Sequence, residues 1–124
     1  MAKKILIVDD DLYIRDLYEE VLKSEGYEVT TAVDGKEGFD KLEAGGFDLV
    51  LLDVMMPKLD GITILSRLAN TPPKIVNGPI VLLTNLSQGP VIEDGMKKGA
   101  KSYLIKADLT PDQLVKKVKE FLSS

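Results

Sequence analysis

Five short, mostly apolar runs recur along the chain and indicate β-strands. Such runs are too short for buried helices, and their valines, isoleucines and leucines favour strands buried on both faces. The second run is more polar, with Glu28, Thr30 and Thr31, so we expect it at an edge of the sheet. The predicted strands cover residues 4–8, 27–32, 49–52, 80–83 and 102–105.

Between these runs, apolar residues recur every three or four positions, a spacing typical of amphipathic helices. Asp34 and Thr110 begin capping boxes, and Gly89 with Pro90 suits the cap and first residue of another helix. The segment 71–79 is rich in proline and is interpreted as a loop. The helices are expected to end at Gly26, at Gly45, near Asn70, at Gly99 and near Leu122.

Alternation of strand and helix predicts an α/β fold with one parallel sheet, because parallel strands need crossover connections. We expect a doubly wound, five-stranded sheet in the order 2-1-3-4-5, with five helices on its two faces. The 124 residues suffice for one domain, so residues 1–124 are assigned to a single unit.

The composition limits the kind of function. A net charge of −4 argues against a nucleic-acid-binding surface, and no apolar run is long enough to cross a membrane. The amino terminus lacks the layout of a signal peptide, so a cytoplasmic protein is expected. Cysteine and histidine are both absent, so an active site would have to use carboxylates, hydroxyls and amines.

Polar residues stand where the predicted strands end. Asp53 closes the most apolar strand, just before a turn predicted at Met56-Pro57. The carboxyl ends of parallel strands share one edge of the sheet, and in this strand order a crevice opens between the first and third strands. We therefore expect five side chains to converge, those of Asp9, Asp10, Asp53, Thr84 and Lys106.

Three carboxylates at one edge are unfavourable unless a cation lies among them or one of them is protonated. Two of them about 4 Å apart repel each other by roughly 4 kcal/mol at an effective dielectric constant of 20. Oxygen ligands without imidazole or thiolate favour Mg²⁺ or Mn²⁺. Mg²⁺ in proteins commonly binds phosphate oxygens together with one or two carboxylates. Thr84 and Lys106 would then hold phosphoryl oxygens. Asp53 is the candidate nucleophile, because carboxylates can form aspartyl phosphates.

The chain resembles the receiver domains of two-component response regulators, of the single-domain, chemotaxis-regulator kind, and such domains have a flavodoxin-like fold. The resemblance extends over the whole chain and rests on motifs at the strand ends. They are Val8-Asp9-Asp10, Asp53-Val54-Met55-Met56-Pro57 with Asp60-Gly61, Thr84, Gly99-Ala100 and Tyr103-Leu104-Ile105-Lys106.

The resemblance implies a phosphoprotein in signal transduction. Asp53 would accept a phosphoryl group from a phosphohistidine of a sensor kinase or phosphotransfer protein, in a Mg²⁺-dependent reaction. Asp10, Asp53 and the Met55 carbonyl would bind the metal directly, and Asp9 would act mainly through a water. Such a domain is not an enzyme towards other molecules, since it catalyses only its own phosphorylation and slow dephosphorylation.

The resemblance also implies a switch. Lys106 would pair with Asp53 or its phosphate, Thr84 would be drawn towards the phosphoryl group, and Tyr103 would repack behind it. The fourth helix, fifth strand and fifth helix would form the output surface for a downstream protein target, with no direct nucleic-acid or membrane partner.

Three features depart from the family pattern. Ala107 stands where the family usually has proline, so we predict a trans Lys106-Ala107 bond and a reshaped loop to Asp108. Asn85 replaces the usual small residue and is predicted to slow dephosphorylation by narrowing access to the phosphate. The 71–79 segment is longer than the family's usual connection, and the sequence assigns it no function.

Other functions remain open from the sequence. A phosphatase of the haloacid dehalogenase type also uses an aspartate nucleophile, but it places that residue after its first strand. A flavodoxin-like cofactor binder needs a phosphate loop where Asp9-Asp10-Asp11 would repel phosphate. A degenerate receiver used only for protein contacts is a third alternative. A receiver can stand alone or form the first part of a larger regulator, and both alternatives stay open.

Overall fold

The computed structural model describes residues 2–56, 58–85 and 89–123. Within these ranges, strands and helices alternate as the sequence predicts. The strands are β1 (Lys4–Val8), β2 (Glu28–Ala32), β3 (Leu49–Asp53), β4 (Ile80–Thr84) and β5 (Ser102–Ile105). The helices are α1 (Leu12–Ser24), α2 (Gly35–Ala44), α3 (Gly61–Asn70), α4 (Gly89–Lys97) and α5 (Pro111–Ser123), and a 3-10 turn, η1, covers Lys106–Asp108.

Neighbouring strands pair in parallel, in the order β2-β1-β3-β4-β5. The doubly wound α/β fold is therefore confirmed, and the polar strand β2 lies at an edge as expected. β3 is buried along its whole length, because helices cover both faces of the central sheet. The pairs Val8 with Leu52 and Leu83 with Asp53 fix its register against β1 and β4.

Successive residues of each strand point to opposite faces of the sheet, and two hydrophobic cores result. One core includes Leu22 of α1 and Leu114 of α5. The other includes Leu42 of α2 and Ile64 of α3. The two cores pack on opposite faces of the sheet and so keep the strand ends in fixed positions.

Helix ends largely follow the predicted capping signals. Thr110 and Gln113 form a reciprocal capping box at the start of α5. The first helix ends at Ser24, two residues before Gly26, whose φ of +91° lies in the left-handed region. The fourth helix begins at Gly89 itself, so Pro90 is its second residue and not its first.

Not every apolar side chain of the helices is buried. Leu12 is 62% exposed at the start of α1, and Met96 is exposed in α4. The buried residues of α4 are Ile92 and Gly95. A Cβ at position 95 would lie 2.5 Å from Leu82 Cδ1, so the helix approaches the sheet closely through this glycine.

The 71–79 segment packs against the loop between α2 and β3, at the amino-terminal edge of the sheet. Ile75 forms a parallel bridge with Gly45. Asn77 accepts a hydrogen bond from Phe47 N through Oδ1 and donates one from Nδ2 to Leu42 O. The segment is therefore anchored at the end of the molecule opposite to Asp53.

Candidate functional site

Asp53 is the last residue of β3, and only 3% of its surface is exposed. Its Oδ1 accepts a hydrogen bond from Met55 N at 3.3 Å. The chain then turns back into α3, whose first residue, Gly61, packs on the Asp53 backbone. A Cβ on Gly61 would lie 2.6 Å from the Asp53 carbonyl oxygen. The turn predicted at Met56-Pro57 includes Pro57, which lies outside the described residues.

Asp9 directly follows β1 and lies beside Asp53, because Val8 and Leu52 are paired in the sheet. It is fully buried. Its Oδ1 accepts a hydrogen bond from Asp11 N at 2.9 Å, and its carbonyl oxygen accepts one from Arg15 Nη1 at 2.9 Å. The start of α1 thus holds both the backbone and one carboxylate oxygen of Asp9.

Lys106 places its ammonium between two buried carboxylates. Its Nζ lies 2.6 Å from Asp9 Oδ2 and 3.2 Å from Asp53 Oδ2. Burial by itself would lower the pKa of Lys106, but the hydrogen bond and charge of Asp9, and then Asp53, raise the pKa above its usual value. Lys106 is therefore charged at neutral pH.

The trans peptide bond predicted before Ala107 is confirmed. The chain forms the turn η1, and Leu109 N donates a hydrogen bond to Lys106 O at 3.1 Å. The turn carries the chain away from the site without a proline.

Asp9, Asp10 and Asp53 each offer a carboxylate oxygen within 4.8 Å of the others. Asp10 is exposed, so the group opens to solvent on one side. Burial, and then the charge of Asp9, raise the pKa of Asp53 to about 7, although Lys106 acts in the opposite direction. One ammonium therefore does not offset the three acids. An oxygen-only ligand set with excess negative charge fits Mg²⁺ or Mn²⁺ better than zinc or copper.

Thr84 lies on β4, the strand next to that of Asp53, and Tyr103 lies on β5, one strand further out. Thr84 ends β4 and is buried, and its partner across the ladder is Ile105, the residue before Lys106. Tyr103 in β5 is 41% exposed. Asn85, directly after Thr84, is exposed. The predicted site residues thus lie at the carboxyl ends of four adjacent strands, and Tyr103 lies on β5, the edge strand of these four.

Two residues that interact with Asp9, one by a hydrogen bond and one through its charge, were not identified from the sequence. Arg15 donates to the Asp9 carbonyl, and it is the first cation in the chain after the acid pair. Tyr18 is buried in α1. The spacing of Ile14, Tyr18 and Leu22 marks one helical face, and this spacing could have identified Tyr18 as a residue directed at the sheet.

Known proteins share this sequence pattern. The family model described as "Response regulator receiver domain" matches residues 5–119. The chemotaxis protein CheY of Treponema pallidum is 38% identical over 106 residues, which are 83% of this chain and 72% of that protein. The chain spans about half the length of several transcriptional regulators that it also matches.

Solved structures share the fold. A CheY-like receiver domain protein from Methanospirillum hungatei has a TM-score of 0.87 and 32% identity, with 99% of this chain and 95% of that chain covered. The response regulator TrrA from Thermotoga maritima, solved in complex with Mg²⁺-BeF, has a TM-score of 0.77 and 36% identity, with 97% and 99% covered. Within the described ranges, no helix is both long and apolar enough to span a membrane.

Proposed function

Because the chain belongs to the response regulator receiver domain family, we propose that it is a phosphorylation-switched signalling domain and that Asp53 is its phosphoryl acceptor. One observation carries this proposal: Asp53 is a buried carboxylate among two further acids and an ammonium. Perturbed carboxylates of this kind concentrate at functional sites. In this proposal residues 1–124 act as one receiver unit.

In the proposed reaction, a carboxylate oxygen of Asp53 attacks the phosphorus of a phosphohistidine. A P–O bond forms, the P–N bond breaks, and the departing imidazole retains the bonding electrons and takes up a proton. The donor must be a separate protein or a small phosphodonor, because this chain contains no histidine. Water later hydrolyses the aspartyl phosphate slowly and regenerates the Asp53 carboxylate.

The neighbouring residues would position and neutralise the transferred group. Asp9, Asp10 and Asp53, with the Met55 carbonyl, would hold Mg²⁺, which supplies positive charge to the phosphoryl oxygens when bound. Lys106 contacts Asp53 Oδ2 and would provide a second positive charge. The Mg²⁺-BeF complex of the Thermotoga maritima relative supports this choice of metal.

The proposed output is a shift of the surface formed by α4, β5 and α5. A phosphoryl group on Asp53 would draw the Thr84 hydroxyl towards it, and Tyr103 would turn inward into the space that Thr84 leaves. The exposed position of Tyr103 leaves its ring free to make this movement. A downstream protein would bind this surface. A cytoplasmic location stays a prediction.

Phosphorylation of Asp53 can be tested with purified protein, Mg²⁺ and acetyl phosphate, followed by intact mass measurement. Wild type should gain one phosphoryl group, and Asp53→Asn should gain none because the amide is not a nucleophile. Asp48→Asn makes the same change at the other end of the strand and should label like wild type. Equal labelling of wild type and Asp53→Asn would contradict the proposal.

Metal binding can be tested by calorimetric titration of Mg²⁺ into the unphosphorylated protein. Asp10→Ala should weaken Mg²⁺ binding about tenfold or more, because it removes a ligand oxygen. Asp16→Ala removes the same charge from an exposed position of α1 and serves as the control. An unchanged affinity in Asp10→Ala would exclude Asp10 from the ligand set.

A further inference from the structure

The side chain of Asp10 is held less firmly than those of the other two acids of the site. The Asp9 carboxylate accepts a hydrogen bond from Asp11 N at 2.9 Å and lies 2.6 Å from the Lys106 ammonium. The Asp53 carboxylate lies 3.2 Å from the same ammonium. Asp10 is exposed, and no described residue forms a hydrogen bond or an ion pair with its side chain. The position of the Asp10 carboxylate therefore depends on the backbone that leads to it.

Arg15 holds the peptide group that joins Asp9 to Asp10. It lies in the first turn of α1, and helix side chains lean towards the amino terminus of the helix, so its side chain reaches back to the end of β1. There Arg15 Nη1 donates a hydrogen bond to the Asp9 carbonyl oxygen at 2.9 Å. Because a peptide group is planar, a fixed Asp9 carbonyl also fixes the direction of the N–Cα bond of Asp10. Arg15 therefore orients the backbone from which the Asp10 side chain extends.

Arg15 directs its charge to a carbonyl oxygen and not to a carboxylate. Within the part of the chain that the structure describes, its guanidinium forms no ion pair with Asp9, Asp10 or Asp53. A cation paired with Asp10 would compete with a metal ion for the carboxylate oxygens. The observed hydrogen bond instead restrains the backbone and leaves the oxygens of Asp10 free to bind a cation.

Attachment of α1 to the sheet does not explain this hydrogen bond. The helix is already capped by Asp11, whose Oδ1 accepts a hydrogen bond from Ile14 N at 3.2 Å. Its inner face is buried through Tyr18 and Leu22. The contact made by Arg15 lies beyond the helix, at the peptide that precedes Asp10.

We propose that Arg15 is a positioning residue for the metal site, whose hydrogen bond to the Asp9 carbonyl keeps the Asp10 carboxylate in the orientation that binds Mg²⁺. This inference rests on the proposed function, in which Asp10 is a direct ligand. Restraint of a ligand before binding reduces the conformational entropy that is lost when the metal binds. Arg15 therefore increases the affinity for a cation although it carries a positive charge itself.

Calorimetric titration of Mg²⁺ into Arg15→Met separates orientation from charge, because the two effects have opposite signs. Loss of a positive charge near three acids would by itself strengthen Mg²⁺ binding. Loss of orientation weakens it, and we expect binding about three- to tenfold weaker than in wild type. Unchanged or stronger binding would overturn the inference.

Arg67→Met is the matched control, because it makes the same change at the only other arginine of the chain. Arg67 lies in α3, with its Cζ 5.9 Å from the centroid of the Phe39 ring. This variant should bind Mg²⁺ like wild type. An equal loss of affinity in Arg67→Met would overturn the inference.

A double-mutant cycle tests whether Arg15 acts through Asp10. If it orients that carboxylate, Arg15→Met should cause little further loss of Mg²⁺ affinity in a protein that already carries Asp10→Ala. A loss of the same size in both backgrounds would overturn the inference, because Arg15 would then act on another ligand.

A second measurement needs no metal. In EDTA, the ¹⁵N order parameter of the Asp10 amide should fall from about 0.85, typical of a rigid backbone, towards about 0.6 in Arg15→Met. It should stay unchanged in Arg67→Met. An equally rigid Asp10 amide in wild type and Arg15→Met would overturn the inference. A lower thermal midpoint of Arg15→Met with unchanged Mg²⁺ affinity would overturn it too, because Arg15 would then only anchor α1.

Failure of the proposed function gives a different result. If wild type binds Mg²⁺ but is not phosphorylated on Asp53, the proposed function fails and the role of Arg15 in metal binding is unaffected. If wild type binds no Mg²⁺, the assignment of Asp10 as a ligand fails, and the inference fails with it.

Discussion

At the carboxyl edge of the sheet, Asp9, Asp53 and Lys106 are buried, and a single ammonium contacts both buried carboxylates. At the opposite edge, the 71–79 segment is fastened to the loop after α2 by backbone hydrogen bonds and by a β-bridge. Asn77 bonds that region twice more through its side chain. The two edges belong to one sheet, but buried charges lie at the first edge and neutral hydrogen bonds connect the loops at the second.

The contrast separates stability from function. Hydrogen-bonded connections stabilise the fold, whereas a buried excess of negative charge destabilises it when no cation is bound. The same excess of negative charge makes the binding of a cation strongly favourable, and such binding stabilises the folded protein. Substitutions at the 71–79 edge should therefore lower stability without changing phosphorylation. Substitution of Asp53 by a neutral residue should abolish phosphorylation without lowering stability.

The largest effect on stability is expected at Gly45. A Cβ there would lie 1.7 Å from the Ile75 carbonyl oxygen, and the φ of Gly45 is +79°, in the left-handed region. Gly45→Ala should lower the free energy of unfolding by about 3–5 kcal/mol, because the 71–79 segment would have to move as well. Urea denaturation measures this change.

Gly26→Ala is the matched control for Gly45→Ala. Its φ of +91° is also left-handed, but nothing lies within 4 Å of its Cβ. Only the backbone conformation is penalised, by about 1–2 kcal/mol. Phosphorylation of Gly45→Ala, measured well below its unfolding midpoint, should proceed at the wild-type rate. Equal destabilisation of the two variants would show that the bridge to the 71–79 segment adds nothing to stability.

The fold and the membership of the site could be predicted because both follow from local sequence patterns. Polar residues follow apolar runs, and a parallel topology brings those strand ends to one edge. The finer electrostatics depend on side-chain conformation and burial: Lys106 lies closer to Asp9 than to Asp53, and Arg15 bonds the Asp9 backbone. The 71–79 segment has no periodicity, so its anchoring could not be derived from residue spacing.

The second largest expected effect is a pH dependence of stability that arises from the titration of Asp53. Burial and the charge of Asp9 raise its pKa to about 7, whereas an aspartate in an unfolded chain titrates near about 3.9. Between those values the folded protein binds more protons at Asp53 than the unfolded chain does, so stability should fall as the pH rises. Without divalent ions, wild type should lose about 2–4 kcal/mol relative to Asp53→Asn across this range.

Urea denaturation of wild type and Asp53→Asn in EDTA, at several pH values between about 4 and 8, measures this difference. Groups that titrate in both proteins cancel when the two curves are subtracted. Parallel curves would contradict a raised pKa at Asp53 and would weaken the contrast between the two edges. If the acids bind Mg²⁺, its addition should recover much of the wild-type stability at neutral pH.

Asn85 should give the smallest effect, and the effect should appear in phosphate lifetime and not in stability. Its side chain is exposed directly after Thr84, so Asn85→Ala should leave the urea midpoint unchanged. The smaller side chain would open the path of water to the phosphoryl group on Asp53. Dephosphorylation should be about two- to fivefold faster, or roughly 0.4–1 kcal/mol in the barrier.

The decay of the phosphorylated mass after removal of the phosphodonor measures the Asn85→Ala lifetime. Asn70→Ala, an exposed asparagine at the end of α3, is the control and should decay like wild type. An unchanged lifetime in Asn85→Ala would mean that water already reaches the phosphate freely. The carboxyl edge would then control phosphorylation through its charges alone, because steric access would add nothing to their effect.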